Sequence, residues 1–257
     1  MKTKARSSVA PYLRELLLNR DRVPTFDEYP FSLPVVRHMK AVKLHPKVTF
    51  IIGENGSGKS TLLEALAVVC GLNAEGGSRN FNFSTRASHS VLVDYITAVR
   101  EPSRPRDAYF FRAESYFNVA TEIERLDEDP DGGGPPIIDS YGGVSLHEQS
   151  HGESFFSTFL HRFGGSGLYI LDEPEAALSP MRQFAMLSRL HQLVKLQSQF
   201  VIATHSPILM SYPDAVILEI TDKGLRKSSL EETEHFKLSQ AFFADPRRML
   251  EMLMEVS

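Results

Sequence analysis

The sequence predicts an α/β fold in which a largely parallel sheet is flanked by helices, and three observations support this. Short runs of apolar or β-branched residues recur at 48–52, 168–171 and 200–203, as expected of parallel strands that are buried on both faces. An amphipathic helical pattern follows each of the first two runs, at 59–71 and 181–196. Such alternation of strands and helices over 257 residues is typical of α/β domains.

The remaining elements follow from periodicity and from turn residues. Residues 36–44 are mixed and compatible with a first strand, whereas 73–90 is rich in glycine, serine and asparagine and predicts a loop or a short hairpin. Further strands are predicted at 90–99, 107–112 and 215–220. Further helices are predicted at 12–18, 113–126, 154–163 and 232–255, the last interrupted near Pro246.

The stretch 127–143 reads DEDPDGGGPPIIDSYGG. Its three consecutive glycines, followed by two prolines, predict a mobile surface loop, with which a plain linker and a lid are equally compatible. We expect one domain over 1–257 with a core, a small helical lobe that contains this loop, and a C-terminal helical extension. The predicted core spans 35–112 and 164–225, the lobe spans 113–163, and the extension spans 226–257.

Composition excludes several classes of protein. The formal net charge of −4 gives no global reason to expect nucleic acid or an anionic membrane as a partner, although local basic patches remain open. Cys70 is the only cysteine, which excludes an internal disulfide framework and fits a reducing cytoplasm. No apolar stretch has the length needed to span a bilayer, and the basic N-terminus is a poor signal peptide. We therefore expect a cytoplasmic protein without direct membrane insertion.

A glycine-rich loop joins the run at 48–52 to the following helix. It reads GENGSGKS and matches G-x-x-x-x-G-K-[ST] in full, in the expected context of strand and helix. Glycines let backbone N–H groups turn around phosphate oxygens, and the helix N-terminus adds a positive dipole. A lysine there supplies charge for the β- and γ-phosphates, and the next hydroxyl can bind Mg²⁺. The predicted phosphate-binding residues are Gly53, Glu54, Asn55, Gly56, Ser57, Gly58, Lys59, Ser60 and Thr61.

Polar residues directly follow two other predicted strands. The run at 168–171 is followed by Asp172 and Glu173, and His205 comes shortly after the run at 200–203. Open α/β sheets place their ligands at the carboxyl ends of such strands. In phosphate-loop ATPases the first acid holds Mg²⁺, directly or through water, and the next can polarise the attacking water. A lone histidine is more often structural, but the position of His205 beside the same site favours a functional role.

Together these motifs resemble those of the ATP-binding-cassette (ABC) ATPases, which carry a phosphate loop, a Gln loop, a signature, an acidic strand, a D-loop and a switch histidine. The segment SHGE at 150–153 resembles part of the family signature LSGGQ, and ALSP at 177–180 resembles the D-loop. Ser150 precedes Asp172 by 22 residues and His205 follows it by 33, which are family-like distances. The resemblance covers roughly 35–220. It implies a P-loop NTPase fold with an antiparallel β portion and a small helical lobe that carries the signature.

The resemblance also implies the ligands and the assembly. ATP and Mg²⁺ would bind between two copies arranged head to tail, because the second copy's N–H groups and helix dipole complete the anion site. Glu173 would be the catalytic base, Asp172 and Ser60 would hold Mg²⁺, and His205 would sense the γ-phosphate beside Lys59. The residues that would approach the other copy's γ-phosphate are Ser150, Gly152 and Glu153.

The sequence departs from the family pattern at three points. His151 replaces a glycine, which changes how closely the backbone can approach a phosphate. No Gln loop is evident; Glu114 is the best candidate for its position as a ligand of Mg²⁺ or of its water, and a structural Glu is nearly as compatible. No aromatic residue stands out for stacking on adenine, and Phe31 and His38 are weak candidates.

The resemblance is closer to stand-alone ATPases of the SMC/RecF-like group than to transporter subunits. LDEPEAALSP at 171–180 and QFVIATHSPIL at 199–209 resemble that group, and Glu175 adds an acid where transporter subunits usually carry Thr or Ser. Only 90 residues separate Lys59 from Ser150, which excludes a long coiled-coil arm. We therefore expect an ATP-hydrolysing homodimer that is coupled to a protein partner or to a DNA-related process.

Two alternatives remain open. A transporter's nucleotide-binding subunit needs a groove beside a true Gln loop, for which the 35 residues between Glu114 and Ser150 look too few and too flexible. A non-catalytic, ATP-switched scaffold fits the departure at His151. A basic cluster could contact DNA phosphates, but a solvated charged loop explains it about twice as well because no aromatic platform accompanies it. The cluster consists of Arg100, Arg104, Arg106 and Arg112.

Overall fold

A computed structural model describes residues 12–78, 90–129 and 134–255. The basic N-terminus and parts of the predicted loops, 79–89 and 130–133, lie outside the described residues. The strands are β1 (Leu13–Leu18), β2 (Ala41–Lys43), β3 (Val48–Ile52), β4 (Gly77–Ser78), β5 (Ile96–Arg100), β6 (Asp107–Arg112), β7 (Gly167–Asp172), β8 (Gln199–Ala203), β9 (Ala215–Thr221) and β10 (Gly224–Ser228). The helices are α1 (Pro34–Arg37), α2 (Lys59–Val69), α3 (Tyr116–Asp127), α4 (His151–Ser157), α5 (Pro180–Lys195), α6 (Pro207–Met210), α7 (Glu234–Ala244) and α8 (Pro246–Glu255).

The larger sheet confirms the predicted α/β fold. Its strand order is β10-β9-β3-β8-β7-β6-β4. The strands from β9 to β6 run parallel, and β10 and β4 add antiparallel edges. Every residue of β3, β7 and β8 is buried, because helices cover both faces of the sheet. The carboxyl ends of these three strands therefore lie side by side at one edge.

A smaller antiparallel sheet has the order β2-β1-β5. It corrects the prediction of a helix at 12–18, because Leu13–Leu18 form β1. Leu16 and Leu18 are buried on the same face, and the Gln199 side chain of the larger sheet bonds the main chain of Leu13 through both its carbonyl and its amide. Pairing with β5, far along the chain, thus decides a local pattern that is ambiguous by itself.

Two other predicted strands are shorter than expected. Residues 36–44 contain the end of α1 and then β2, and the first part of 90–99 is a 3₁₀ turn over Val91–Tyr95 that leads into β5. The remaining strand and helix predictions are close to the observed bounds, including the interruption at Pro246 between α7 and α8.

The segment predicted as a small helical lobe packs aromatic side chains against the sheet. Phe155 and Phe163 are fully buried, and the Phe163 ring stacks on Tyr169 of β7 at 4.3 Å between centroids. The predicted helix at 154–163 is α4 followed by a π-helical turn over Thr158–Arg162.

The second half of the predicted loop at 127–143 is more ordered than its composition suggests. The Asp127 carboxylate accepts hydrogen bonds from the N–H groups of Ile137 (2.6 Å) and Ile138 (2.9 Å), where a 3₁₀ turn begins. Tyr141, at the end of that turn, is fully buried. Asp127 and Tyr141 thus attach this segment to the lobe. In the described part of the chain, no helix combines the length and apolarity needed to cross a membrane.

Candidate nucleotide-binding site

The glycine-rich loop follows β3 and leads into α2. Gly53, Gly56 and Gly58 have φ angles of 156°, 79° and 98°, a region of backbone conformation that L side chains rarely adopt. A Cβ at Gly58 would also lie only 2.7 Å from Cγ1 of Val35. The loop conformation therefore requires glycine at these positions, as the motif predicts.

Lys59 folds back over this loop. Its Nζ donates hydrogen bonds to the carbonyls of Gly53 (2.9 Å) and Glu54 (3.1 Å), and the residue is buried. Burial lowers the pKa of the Lys59 ammonium, whereas the carboxylates of Glu173 and Asp172 raise it. The ammonium thus lies between the loop and the acids at the end of β7.

Ser60 and Asp172 come together across the site. The Ser60 hydroxyl donates a hydrogen bond to Oδ1 of Asp172, at 3.2 Å. Burial raises the pKa of Asp172 to about 6, although the Ser60 hydrogen bond and the Arg112 charge oppose the shift. A hydroxyl and a carboxylate are the oxygen donors that Mg²⁺ accepts, and Mg²⁺ typically takes one or two protein ligands beside phosphate and water. The pair therefore fits Mg²⁺. Over the described ranges, no group of three or more His, Cys, Asp or Glu side chains is placed to hold a metal.

Arg112, at the end of β6, is a site residue that the sequence analysis placed in a surface cluster. Its guanidinium donates to Glu64 of α2 at 2.7 Å and lies 3.9 Å from Oδ2 of Asp172. It also donates to Glu114 at 3.3 Å. Glu114 is 82% exposed and is linked to Asp172 through Arg112, so the structure does not place it directly beside Ser60. The strand register that pairs Arg112 with Asp172 is the signal that was missing.

Glu173 and His205 face each other at the same edge. Glu173 has φ 50° and ψ 52°, a left-handed conformation that is uncommon outside glycine and is found at functional sites. Its Oε1 lies 3.5 Å from Nε2 of His205. The His205 N–H donates to Oε1 of Glu175 at 2.6 Å, so this additional acid orients the His205 main chain. Burial and the nearby Lys59 charge lower the pKa of His205.

A second histidine, His235 of α7, completes this edge and was not predicted. Its Nε2 lies 3.0 Å from Nδ1 of His205. His235 and Glu234 also line a cleft of about 350 Å³ above the phosphate loop. The end of β9 and Pro34 form other parts of this cleft. The C-terminal extension therefore reaches the candidate site.

The signature-like segment lies at the start of α4. Ser150 is the N-cap: its hydroxyl accepts from the Glu153 N–H and donates to the Glu153 carboxylate at 2.8 Å. Arg182 of α5 lies 3.3 Å from the other Glu153 oxygen. Hydrogen bonds from Ser150 and Arg182 lower the pKa of Glu153, so this carboxylate is ionised at neutral pH.

Packing within this chain explains why residue 152 is a glycine. A Cβ there would fall well inside van der Waals contact with the carbonyl oxygen of Ala177, in the D-loop-like segment. The contact joins the signature-like segment to the turn that follows β7. Close packing within one copy is thus sufficient to require this glycine.

Other sequence candidates lie away from the site's centre. Phe31 is buried and packs edge-on against Tyr95 at 4.9 Å between centroids, so it is not free to stack on a base; His38 is exposed. The basic cluster is not one surface. Arg100 donates to the carbonyl of Val69 at 2.6 Å, whereas Arg112 donates to Glu64 at the candidate site.

Comparison with protein-family models finds two matches. Residues 34–147 match a model described as "AAA domain", and residues 138–211 match one described as "AAA domain, putative AbiEii toxin, Type IV TA system". The two ranges overlap at 138–147, and together they contain the phosphate loop, the acidic strand and His205. No curated protein matches the chain.

Solved structures give similarities at low identity. The SMC head domain from Thermotoga maritima is 15% identical, with a TM-score of 0.39 over 84% of this chain and 98% of that one. The cbiO1 protein from Clostridium perfringens, described as part of the ABC transporter complex cbiONQ, is 17% identical. Its TM-score is 0.47 over 96% of this chain and 100% of that one.

Proposed function

We propose that this chain, an ABC/SMC-like P-loop ATPase by its motifs and its AAA-domain matches, binds MgATP and hydrolyses it between two head-to-tail copies. The observation that carries the proposal is the meeting of three strand ends at one edge of the sheet. These ends bring the phosphate loop, two acids and a histidine together. The residues concerned are Lys59, Ser60, Asp172, Glu173 and His205.

The site's own groups suit each step of phosphoryl transfer to water. The loop amides and Lys59 would bind the β- and γ-phosphates, and Ser60 and Asp172 would hold Mg²⁺. The ion would supply charge that neutralises the phosphate oxygens. Glu173 would accept a proton from the attacking water, and His205 Nε2 beside it would contact the terminal phosphate. The 3.5 Å separation between Glu173 and His205 supports a shared role.

The proposed homodimer uses the surface at the start of α4. Ser150 is exposed and is the N-cap of α4. The ionised Glu153 would repel a phosphate by itself, and its contact with Arg182 offsets this charge. We propose that Ser150, Gly152 and Glu153 complete the ATP site of a second copy.

We propose that turnover drives a protein partner in the cytoplasm. The buried, single Cys70 is compatible with a reducing compartment. We propose a protein partner in preference to DNA, because Arg100 and Arg112 of the basic cluster make contacts within the chain.

The decisive experiment measures ATPase activity of the purified protein, with and without DNA, while light scattering follows its oligomeric state. Glu173→Gln should retain ATP binding and accumulate an ATP-bound dimer, because the nucleotide stays intact at the interface. Lys59→Ala should lose ATP binding. A wild-type protein that binds no ATP would overturn the ATPase proposal, and a Glu173→Gln protein that stays monomeric with saturating ATP would overturn the dimer.

A further inference from the structure

The contact between His205 and His235 joins the site to the C-terminal extension. Thr233 is fully buried and caps α7, because its hydroxyl accepts from the Phe236 N–H at 3.3 Å. This cap places His235 in the first turn of α7, against His205. The two ring nitrogens are 3.0 Å apart, and both side chains are only partly exposed.

A hydrogen bond between two neutral imidazoles needs an N–H on one ring and a lone pair on the other. The surroundings of His205 decide which ring donates. Its Nε2 faces the Glu173 carboxylate at 3.5 Å, where a proton is attracted and a bare lone pair is repelled. The Nε2 of His205 therefore carries the proton, and its Nδ1 accepts from the Nε2–H of His235.

The other contacts leave the orientation of the ring to His235. Glu175 accepts the His205 main-chain N–H at 2.6 Å and fixes the backbone, but it makes no contact with the imidazole in that bond. The ring can still turn about its side-chain torsions, and a neutral imidazole can move its proton between nitrogens. The Nε2 of His235 supplies the contact that opposes both changes.

We infer that His235 is a positioning residue that holds His205 with its Nε2–H directed at Glu173 and at the place of the terminal phosphate. The inference rests on the proposed ATPase function and deepens it. According to this inference, α7 contributes to the hydrolytic site, although it lies beyond the range of both AAA-domain matches.

The kinetic test compares His235→Leu, which removes the donor, with His235→Gln, whose amide N–H can replace it. Lys237→Leu is the matched control, because it changes an exposed residue of the same helix. His235→Leu should lower kcat by about three- to tenfold, the factor that one net hydrogen bond corresponds to, and leave KM for ATP unchanged. His235→Gln should restore most of the rate, and Lys237→Leu should match wild type. An unchanged rate in His235→Leu, or equal losses in the Leu and Gln variants, would overturn the inference.

A second measurement reads the proton directly and needs no turnover. The ¹⁵N shifts of the His205 ring should show a protonated Nε2 in the wild-type protein and in His235→Gln, and a mixture of tautomers in His235→Leu. A wild-type protein with the proton on Nδ1 would refute the inference even if its ATPase activity were normal. Conversely, absent ATPase activity with a protonated Nε2 in wild type and mixed tautomers in His235→Leu would refute the proposed function and support the His235 contact.

Discussion

The Ser60 hydroxyl lies 3.2 Å from Oδ1 of Asp172, although 112 residues separate the two along the chain. The contact joins the first turn of α2 to the end of β7, two elements that the parallel sheet brings side by side. Asp172 is buried there, and burial raises its pKa to about 6. In the absence of a cation, its ionisation is therefore unfavourable to the folded state.

Asp172→Asn should stabilise the nucleotide-free protein at neutral pH. The folded-state pKa of Asp172 is raised above its unfolded value, so its contribution to stability is full below about pH 4 and is lost as the pH rises through about 6. We expect the Asn variant to gain about 2–3 kcal/mol over wild type at pH 7.5 and nothing at pH 4. Urea unfolding at both pH values measures the difference. A constant difference across this range would contradict the burial of an ionisable group, whereas loss of Mg²⁺-dependent ATP binding in the same variant would agree with the metal role.

Arg112→Leu should destabilise the fold through Glu64. The two groups are 2.7 Å apart and largely buried, so removal of the guanidinium leaves a carboxylate without its cation. Because both groups retain some exposure, we expect a loss of about 2 kcal/mol, below the range for fully buried pairs. The double variant Arg112→Leu/Glu64→Leu should recover part of it. Arg37→Leu is the control: both members of its pair with Asp27 are exposed, so it should change unfolding by under about 0.5 kcal/mol.

Gly152→Ala should destabilise the protein without any nucleotide. The added methyl group would collide with the Ala177 carbonyl oxygen, which belongs to the backbone and cannot turn away. We expect a loss of about 1–3 kcal/mol in thermal or urea unfolding. At Gly164 a Cβ would meet nothing within 4 Å, so Gly164→Ala is the matched control and should be close to neutral. Equal stability of the two variants would show that α4 and the 177–180 segment are not in contact in solution.

Ser150→Arg should separate ATP binding from turnover. A long cation at this exposed N-cap would obstruct a second copy, while the phosphate loop of the same chain is left intact. We expect near-normal ATP binding by the monomer and loss of hydrolysis, with about 1 kcal/mol of stability lost with the cap. Ser150→Thr keeps a capping hydroxyl and serves as the control. Unchanged turnover in the Arg variant would mean that the signature is misplaced.

Some residues of the candidate site can be predicted from the sequence, because they depend on the local backbone, whereas others depend on contacts with distant segments. The glycine positions follow from local backbone conformation, and Asp172 and Glu173 follow from the end of an apolar strand, so a sequence pattern is enough to find them. Arg112 and His235 lack such a pattern, because their roles depend on partners in other elements. The role of Glu114 stays a prediction from the chain order, and its side chain contacts Arg112.

The sequence by itself determined the α/β class, the phosphate loop and the order of the acidic and histidine motifs, because each depends on neighbouring residues and on strand or helix periodicity. Tertiary structure alone decided that Leu13–Leu18 pair as a strand with β5, and that His235 contacts His205. These outcomes depend on packing and hydrogen bonds between distant segments. Such contacts outweigh local propensity, and no short window of the sequence records them.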